Sequence, residues 1–522
     1  MLTYQLDPLG NESLYAQLYR FIRHDIAHGT IQADGRLPSK RALAAHLGVG
    51  TVTVESAYRQ LVAEGYVRAE ERRGYFANRL APAMIPSREG PHAEASAPAR
   101  SSADASRLVA DFTTGSAATR CFPYDIWARA MRETLAEESA ASLAEAARAQ
   151  GSLRLRTAIA SHLRGSRGMV VRPEDIVVGA GAQTLHQLVI QLLGRDRIFA
   201  AEDPGYPRLA QIYRTNDVTV TPVPLESDGM LMRSLRASGA SVAHLMPSHQ
   251  FPTGIVTSAA RRRDLLNWAR EPHAMPASGD IAADGATTSQ HVGEPKLASE
   301  ASPGTTGRYL IEDDYDSDFR LSGRPIPPLF SIDAAKRVIY LGSFANTLGA
   351  AFRFGYLVLP TPLSASFAER LGFYSNTVSP IDQLALARFI EHGHYERHVN
   401  RLRTRVRSVQ NELVSALRAS SIGSRLSFRG LDGGLHFLMG VAGADENAVT
   451  RAAREEGVAL APLSQFRIAR GADGDPGWPA AEARSEVAPA CAWFVMRYSA
   501  LSCEQIPAAV DAIARAIGNR NG

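Results

Sequence analysis

The turn formed by Gly181, Ala182 and Gln183 is a stretch of the chain whose residues suit binding chemistry. It follows the apolar run 175–178 and opens a helical pattern. The first backbone N–H groups of a helix are unpaired and its dipole favours an anion, so such a turn suits a phosphate group. The alternative is that Gly181 only ends a strand. The sequence therefore predicts a candidate anion site here.

The elements around this turn alternate between apolar strand-like runs and helical patterns from Leu108 onward. Alternation of this kind favours a mostly parallel sheet that is covered by helices on both faces, which is an α/β fold. Further strand candidates are 197–201, 218–223, 242–246, 309–311 and 338–341.

The chain divides into segments of different composition. Residues 1–78 form a compact helical unit, and residues 79–107 are rich in Ala, Pro and Ser, which is typical of a flexible linker. The large domain is predicted over 108–518. It is interrupted by a polar insertion at about 271–307, which we expect to be disordered.

Bulk properties exclude several classes of protein. The 522 residues carry a net charge of +4 and contain no apolar run of about 18 residues, so we expect a soluble, cytoplasmic protein without a membrane partner. The three cysteines are too few and too scattered for a disulfide framework or a metal site. Lysine occurs only as Lys40, Lys296 and Lys336.

The N-terminal unit has the order of a helix-turn-helix followed by a hairpin. Ser39 is a plausible N-cap for one helix, residues 51–64 form the next helix, and two short strands follow. In order and spacing this unit resembles the winged helix-turn-helix of the GntR regulators. That resemblance implies DNA binding, with the 51–64 helix in the major groove and the wing on the backbone.

The resemblance assigns roles to individual residues of this chain. Arg41 would contact a phosphate, and Thr51, Val52 and Thr53 would face the major groove. The tip of the wing would be formed by Arg72, Arg73 and Gly74. This chain has Gly50-Thr51 where the family usually places a Ser-Arg pair, which leaves weaker or apolar base contacts. The net charge of residues 1–80 is only +2. The alternative is a helical docking domain with solvated arginines.

Four motifs of the large domain occur in order at 202–207, 246–254, 311–319 and 337–358. Together with the N-terminal unit they resemble the MocR subgroup of GntR regulators, which fuse a winged helix to a fold-type I aminotransferase-like domain. The resemblance implies a homodimer that binds pyridoxal 5′-phosphate (PLP), with a small amine or amino acid as effector.

The resemblance also implies a set of PLP contacts, each with a physical reason. Arg353 and Ser343 would join the 181–183 turn on the phosphate. Asp313 would keep the pyridine nitrogen protonated and Tyr315 would donate to the ring hydroxyl. Tyr206 would stack on the PLP ring, and Arg208 and Arg497 are the candidates for binding the carboxylate of a ligand.

Asn346 stands where the family carries the lysine that binds PLP as a Schiff base. An amide nitrogen is neither nucleophilic nor basic, so Asn346 can neither hold the cofactor covalently nor move protons. We therefore expect noncovalent PLP binding and no catalysis. Two alternatives stay open at this point: a working PLP aminotransferase, which Asn346 disfavours, and a large domain that serves only as a dimer scaffold.

Overall fold

The computed structural model describes residues 2–4, 6–7, 12–70, 73–79, 108–115, 121–140, 143, 148–272, 307–321, 326–468 and 491–518. The chain separates into two compact units, residues 1–101 and 102–522. Most of the predicted linker 79–107 and of the predicted insertion 271–307 lies outside the described residues.

The described part of the N-terminal unit contains three helices and a hairpin: α1 (Leu14–Ala27), α2 (Lys40–Leu47), α3 (Thr51–Ala63), β1 (Val67–Glu70) and β2 (Gly74–Ala77). The Ser39 hydroxyl accepts a hydrogen bond from the Ala42 N–H at 3.2 Å, so the predicted cap of α2 is formed. The three helices enclose an apolar core in which Leu18, Leu43 and Val54 have no exposed surface.

The second unit begins with β3 (Ala110–Asp111) and then alternates helices and strands. Its first half contains α4 (Tyr124–Glu137), α5 (Leu153–Arg167), β4 (Ile176–Gly179), α6 (Ala182–Leu193), β5 (Ile198–Asp203), α7 (Pro207–Arg214), β6 (Thr219–Glu226), β7 (Gly229–Met230), α8 (Met232–Ala237), β8 (Val242–Leu245) and α9 (Ala259–Arg270).

Its second half contains β9 (Tyr309–Asp314), α10 (Leu329–Ile332), β10 (Val338–Ser343), α11 (Ala345–Leu348), β11 (Gly355–Val358), α12 (Thr361–Leu371), α13 (Pro380–Glu391), α14 (His394–Ala419), β12 (Leu426–Arg429), β13 (His436–Ala442), α15 (Glu446–Glu455), β14 (Val458–Ala459), β15 (Ala461–Pro462), β16 (Cys491–Arg497) and α16 (Ile506–Gly518).

Within the described residues, eight strands form the central sheet in the order β4-β11-β10-β9-β8-β5-β6-β7. The pairs from β10 to β6 are parallel, while β11 runs antiparallel to both β4 and β10, and β7 is antiparallel to β6. The predicted mostly parallel sheet is therefore confirmed. In such a sheet ligands bind outside the carboxyl ends of the strands.

Two features of the second unit differ from the sequence-based expectation. The connection from β10 to β11 is a helical turn, because the Leu348 N–H bonds to the Phe344 carbonyl at 2.8 Å. The pattern of residues 337–358 predicts a strand, a tight turn and a second strand, so the helical turn differs from that prediction. A separate four-stranded antiparallel sheet, β12-β13-β16-β15, was not predicted, and it buries apolar side chains together with α14 and α16.

Candidate functional site

The N-terminus of α6 forms one wall of the candidate site, which lies at the carboxyl edge of the central sheet. Gly181 precedes the helix with φ of +84°, and the helix has no side-chain cap. A Cβ on Gly181 would lie 3.2 Å from Nη2 of Arg353, and that nitrogen donates to the Ala180 carbonyl at 3.3 Å. The guanidinium and the open helix terminus thus face the same small space, which suits a phosphate group.

Ser343 ends β10 next to this wall and is paired in register with Gly355. Its Oγ accepts a hydrogen bond from the Ala345 N–H at 3.2 Å, so the hydroxyl hydrogen remains for another acceptor. Ala182 and Gln183 form the first turn of α6, and the Gln183 side chain is exposed.

Asp313 lies near the carboxyl end of β9 and is buried. Its Oδ2 is 3.4 Å from Nε2 of His244, and the opposite nitrogen of that ring is 2.7 Å from the Tyr213 hydroxyl. Burial holds the pKa of Tyr213 well above its ordinary value, so the hydroxyl stays protonated beside the His244 ring. His186 packs 5.2 Å from His244, and burial lowers its pKa to about 3, so it is uncharged.

The other carboxylate oxygen of Asp313 decides what this residue can do. Among the described residues, Oδ1 is buried and has no hydrogen-bond partner. An unpaired buried acceptor costs about 1–3 kcal/mol, more if it is charged, unless a ligand donor meets it. A protonated ring nitrogen is a donor of the required kind.

A second group in the candidate site consists of aromatic and arginine side chains. The Tyr206 and Phe251 rings are 6.0 Å apart, and the Phe251 and Tyr315 rings are 6.3 Å apart. The Arg497 guanidinium lies 5.3 Å from the Phe251 centroid and donates to the Thr113 carbonyl at 3.2 Å. Burial lowers the pKa of Arg497, and its electrostatic neighbours include Tyr206, Tyr315 and the exposed Arg208.

A buried polar cluster lies behind Tyr315. His249 Nδ1 donates to Asp316 Oδ2 at 2.7 Å, and the Tyr315 hydroxyl is 3.4 Å from the same nitrogen. The His249 ring packs 4.8 Å from that of His436, whose Nε2 is 3.1 Å from the Pro252 carbonyl. Gly434 has no room for a Cβ, because that atom would clash with the His249 ring and the Asp316 carboxylate.

Asn346 occupies the first turn of α11, in the connection from β10 to β11. Its Nδ2 donates to the Tyr315 backbone carbonyl at 2.9 Å. Because a carbonyl oxygen only accepts hydrogen bonds, this contact fixes which amide atom is nitrogen and leaves Oδ1 as the remaining acceptor. The bond ties α11 to the end of β9 beside Asp313.

Two further carboxylates are buried along the same edge of the sheet. Glu202 accepts a hydrogen bond from the Met246 N–H at 3.1 Å, and burial raises its pKa to about 8. Asp314 pairs with Arg167 at 2.6 Å and accepts from the Tyr340 hydroxyl at 2.5 Å. Among the described residues, Asp314 Oδ1, like Asp313 Oδ1, is buried without a hydrogen-bond partner, but the other oxygen of Asp314 is held by a cation.

The N-terminal unit presents the predicted DNA-facing residues at its surface. Arg41 is exposed on α2, while Thr51 and Val52 are exposed and Thr53 is half-buried at the start of α3. Val52 is 72% exposed, which is unusual for an apolar side chain and suits contact with a thymine methyl group. Glu55 on the same helix pairs with Lys40 at 2.8 Å, so part of its charge is already neutralised.

The hairpin tip is described in part. Gly74 begins β2 with φ of +112°, and Arg73 is exposed and donates to Glu70 at 2.7 Å. Arg72 lies outside the described residues. The wing contacts assigned to these three residues stay predictions.

Comparison with known proteins gives the family of both units. Residues 14–76 match the family of bacterial regulatory proteins called gntR, and residues 115–478 match aminotransferase class I and II. The chain is 32% identical over 456 residues to an uncharacterised HTH-type transcriptional regulator, YdeL, of Bacillus subtilis, covering 86% of this chain and 89% of that protein. The chain belongs to the GntR-type regulators that carry an aminotransferase domain.

Two other similarities concern the whole chain and the fold of its large domain. It is 30% identical over 472 residues to the probable rhizopine catabolism regulatory protein MocR of Rhizobium meliloti, covering 88% of each chain. The structure of a multiple substrate aminotransferase from Thermococcus profundus matches with a TM-score of 0.60 at 21% identity, over 79% of this chain and 92% of that one. The predicted fold class is thus confirmed, and the GntR domain implies DNA binding.

Some residues that shape the pocket of this regulator were missed by the sequence analysis. The Tyr213, His244 and His186 group comes from three separate elements, α7, β8 and α6, and no spacing pattern connects them. His249 lay inside the quoted motif at 246–254, which was the one available signal. Within the described part of the chain, no helix is long and apolar enough to span a membrane.

Proposed function

We propose that this regulator binds DNA through its N-terminal unit and binds a PLP-type ligand noncovalently in its large domain, without transamination. The observation that carries the proposal is Asn346, in the connection between β10 and β11 where the aminotransferase lysine is expected. Its amide is held by the Tyr315 carbonyl and supplies neither a nucleophile nor a base.

Neither lysine within the described residues can replace the missing amine. Lys40 belongs to the other compact unit and pairs with Glu55. Lys336 precedes β10, whose six residues separate it by about 20 Å from the carboxyl edge of the sheet. A lysine side chain reaches only about 6 Å, so Lys336 lies out of range of the pocket.

The residues that remain fit PLP as a noncovalent ligand. Arg353 and the N-terminus of α6 would hold the phosphate, and the free Oδ1 of Asp313 would accept the ring N–H. Tyr206 would stack on the ring and Tyr315 would donate to the ring hydroxyl. When bound, PLP supplies an electron-poor ring and an aldehyde that reacts with amines.

The arginine wall supports a second component of the ligand. Arg497 and Arg208 are electrostatic neighbours, and Arg497 is largely buried. Two neighbouring guanidinium groups are unfavourable unless an anion lies between them, and a carboxylate fits a guanidinium in bidentate geometry. We infer that the effector is a small amine or amino acid and that the working form is a homodimer in which ligand binding changes DNA affinity.

The test combines calorimetric titration with PLP, borohydride reduction and intact mass measurement. We expect saturable binding with no mass increase after reduction. A stable adduct would contradict the noncovalent reading, and no binding at all would favour the dimer scaffold. The catalytic alternative would require turnover that disappears in Asp313→Asn.

The DNA-binding half is tested separately with fragments from upstream of the gene and fluorescence anisotropy at several salt concentrations. Binding through phosphates should weaken as salt rises. Affinity that is independent of salt and of sequence would support the docking-domain alternative.

A further inference from the structure

We propose that His249, Asp316 and His436 form a binding site for one divalent transition-metal ion of the zinc type. The inference goes beyond the proposed function, because it requires neither PLP nor DNA. It is carried by three buried side chains whose possible ligand atoms converge.

The three residues come from distant segments and meet inside the large domain. His249 lies in the loop after β8, Asp316 follows the end of β9, and His436 begins β13. One possible ligand atom from each lies within 4.8 Å of those of the other two, and the residues are 8%, 4% and 2% exposed, respectively. Atoms that share a zinc ion at about 2.0–2.2 Å lie about 3.3–4 Å apart, so the widest pair needs to close by roughly 1 Å.

The hydrogen bonds of the two histidines are those of metal ligands. His249 Nδ1 donates to Asp316 Oδ2 at 2.7 Å, and His436 Nε2 donates to the Pro252 carbonyl at 3.1 Å. In metal-binding histidines one ring N–H is fixed in this way by a carboxylate or a backbone carbonyl, and the other nitrogen binds the ion. A carboxylate has about four lone-pair positions, so Asp316 can accept the bond from His249 and still be a ligand.

The second nitrogen of His249 is not explained by hydrogen bonding within the cluster. Among the described residues, His249 Nε2 is buried and has no hydrogen-bond partner. An unpaired buried acceptor is destabilising, and a metal ion would use its lone pair. His186 and His398 also have such a nitrogen, but within the described part of the chain neither belongs to a comparable group of three ligand atoms.

The surroundings of the cluster have room for an ion. A cavity of about 50 Å³ adjoins His249 and Asp316, and Gly254 and Gly434 form part of its wall. A cavity needs about 10–15 Å³ to hold one water molecule, so this one admits an ion together with one or two water ligands.

The charges around this cavity do not exclude a cation. Arg167 and Arg320 line it together with Asp316 and Asp432. Arg167 is also paired with Asp314 at 2.6 Å. The carboxylates therefore offset the two guanidinium groups.

The donor set decides the class of ion. Two imidazole nitrogens and one carboxylate oxygen suit zinc, cobalt and related first-row ions, whereas calcium and magnesium prefer oxygen ligands alone. Three protein ligands leave a coordination position for water. A bound ion would also tie the loop after β8 to the end of β9 and to β13, so it should stabilise the large domain.

The experiment is titration of the untagged full-length protein, stripped with a chelator, with Co²⁺ followed by visible absorption. We expect one Co²⁺ per chain with ligand-field bands, displacement by stoichiometric Zn²⁺ and no displacement by a large excess of Mg²⁺. The affinity should be only micromolar, because Arg497 is an electrostatic neighbour of His436 and opposes a cation there. Absence of the bands together with absence of Zn²⁺ uptake in equilibrium dialysis would overturn the inference.

Variants locate the ion. Asp316→Asn and His436→Gln should each lower the affinity for Zn²⁺ at least about tenfold. The matched control is His28→Ala, because His28 stacks on His24 at 3.9 Å on the exposed face of α1 and this pair is an alternative place for a metal. The control should bind like the wild type. Binding that is lost in His28→Ala, or that persists unchanged in both cluster variants, would contradict the assignment.

The wild type supplies a readout that does not depend on the folding of any variant. A ligand that binds only the folded state raises the melting temperature. Saturating Zn²⁺ should therefore raise the melting temperature of the large domain, and a chelator should reverse the rise. A melting temperature that Zn²⁺ leaves unchanged or lowers would count against the site.

Discussion

Replacing Glu202 by glutamine should make the large domain more stable at neutral and alkaline pH. Glu202 is buried at the end of β5, and burial raises its pKa from 4.5 to about 8, with Asp313 as a further contribution of the same sign. The carboxyl is therefore protonated in the folded protein at neutral pH, while it is ionised in the unfolded chain. Glutamine has nearly the same shape and never ionises.

The direction and the size of this change in stability follow from proton linkage. A group whose folded pKa is raised binds its proton more tightly in the folded state, so its stabilising contribution is full below pH 4.5 and is lost as pH rises through about 8. At about 1.4 kcal/mol per pKa unit, the full loss is on the order of 5 kcal/mol, of which roughly 3 kcal/mol has occurred at pH 7. Glu202→Gln removes this loss.

The assay is urea unfolding followed by tryptophan fluorescence between pH 4 and pH 9, since Trp268 is fully buried in the large domain. The stability difference between variant and wild type should be small near pH 4 and grow with pH in favour of the variant. Glu226→Gln makes the same replacement at a side chain that is 42% exposed, so its difference should stay nearly flat. Parallel curves for Glu202→Gln and wild type would show that Glu202 is ionised in the fold and would refute the reasoning.

Three other predictions concern binding. Arg353→Leu should weaken PLP binding about 10- to 100-fold by calorimetry, because one charge-assisted phosphate contact is lost. The melting temperature should stay nearly unchanged, because the Arg353 side chain is exposed. Asn346→Lys should give a mass increase after borohydride reduction with PLP, whereas the wild type should give none. Val52→Glu should lower DNA affinity at least tenfold in anisotropy titrations, because it places a negative charge near the phosphates. It should not change thermal stability, because the side chain is 72% exposed. Unchanged affinity would show that α3 does not contact the DNA.

The sequence predicted those features of the structure that depend on the residue pattern of a single helix or strand. Apolar runs predicted the strands of the central sheet, and Ser39 marked the start of α2, because local patterns determine these features. It was uninformative where contacts join distant segments. The free Oδ1 of Asp313 and its support by His244 and Tyr213 depend on three side chains spread over about a hundred residues, and only packing brings them together.

The same limit applies to Asn346. Its residue type alone excluded a Schiff base, but the direction of its amide depends on the Tyr315 carbonyl at the end of a neighbouring strand. Sequence can state that a lysine is missing. It cannot state which backbone carbonyl holds the amide of the residue at that position.

The free energy of the pocket argues against a domain that survives only as a scaffold. Within the described residues, Asp313 keeps an unpaired buried oxygen, which costs about 1–3 kcal/mol or more. The largely buried Arg497 has Arg208 as an unfavourable neighbour, and a guanidinium fits against Gly181, where a Cβ would have to displace it. A scaffold gains nothing from these features, and apolar replacements of similar size would stabilise it. All three would become favourable with a ligand that brings a phosphate, a ring N–H and a carboxylate, which is the class of ligand that we propose for this domain.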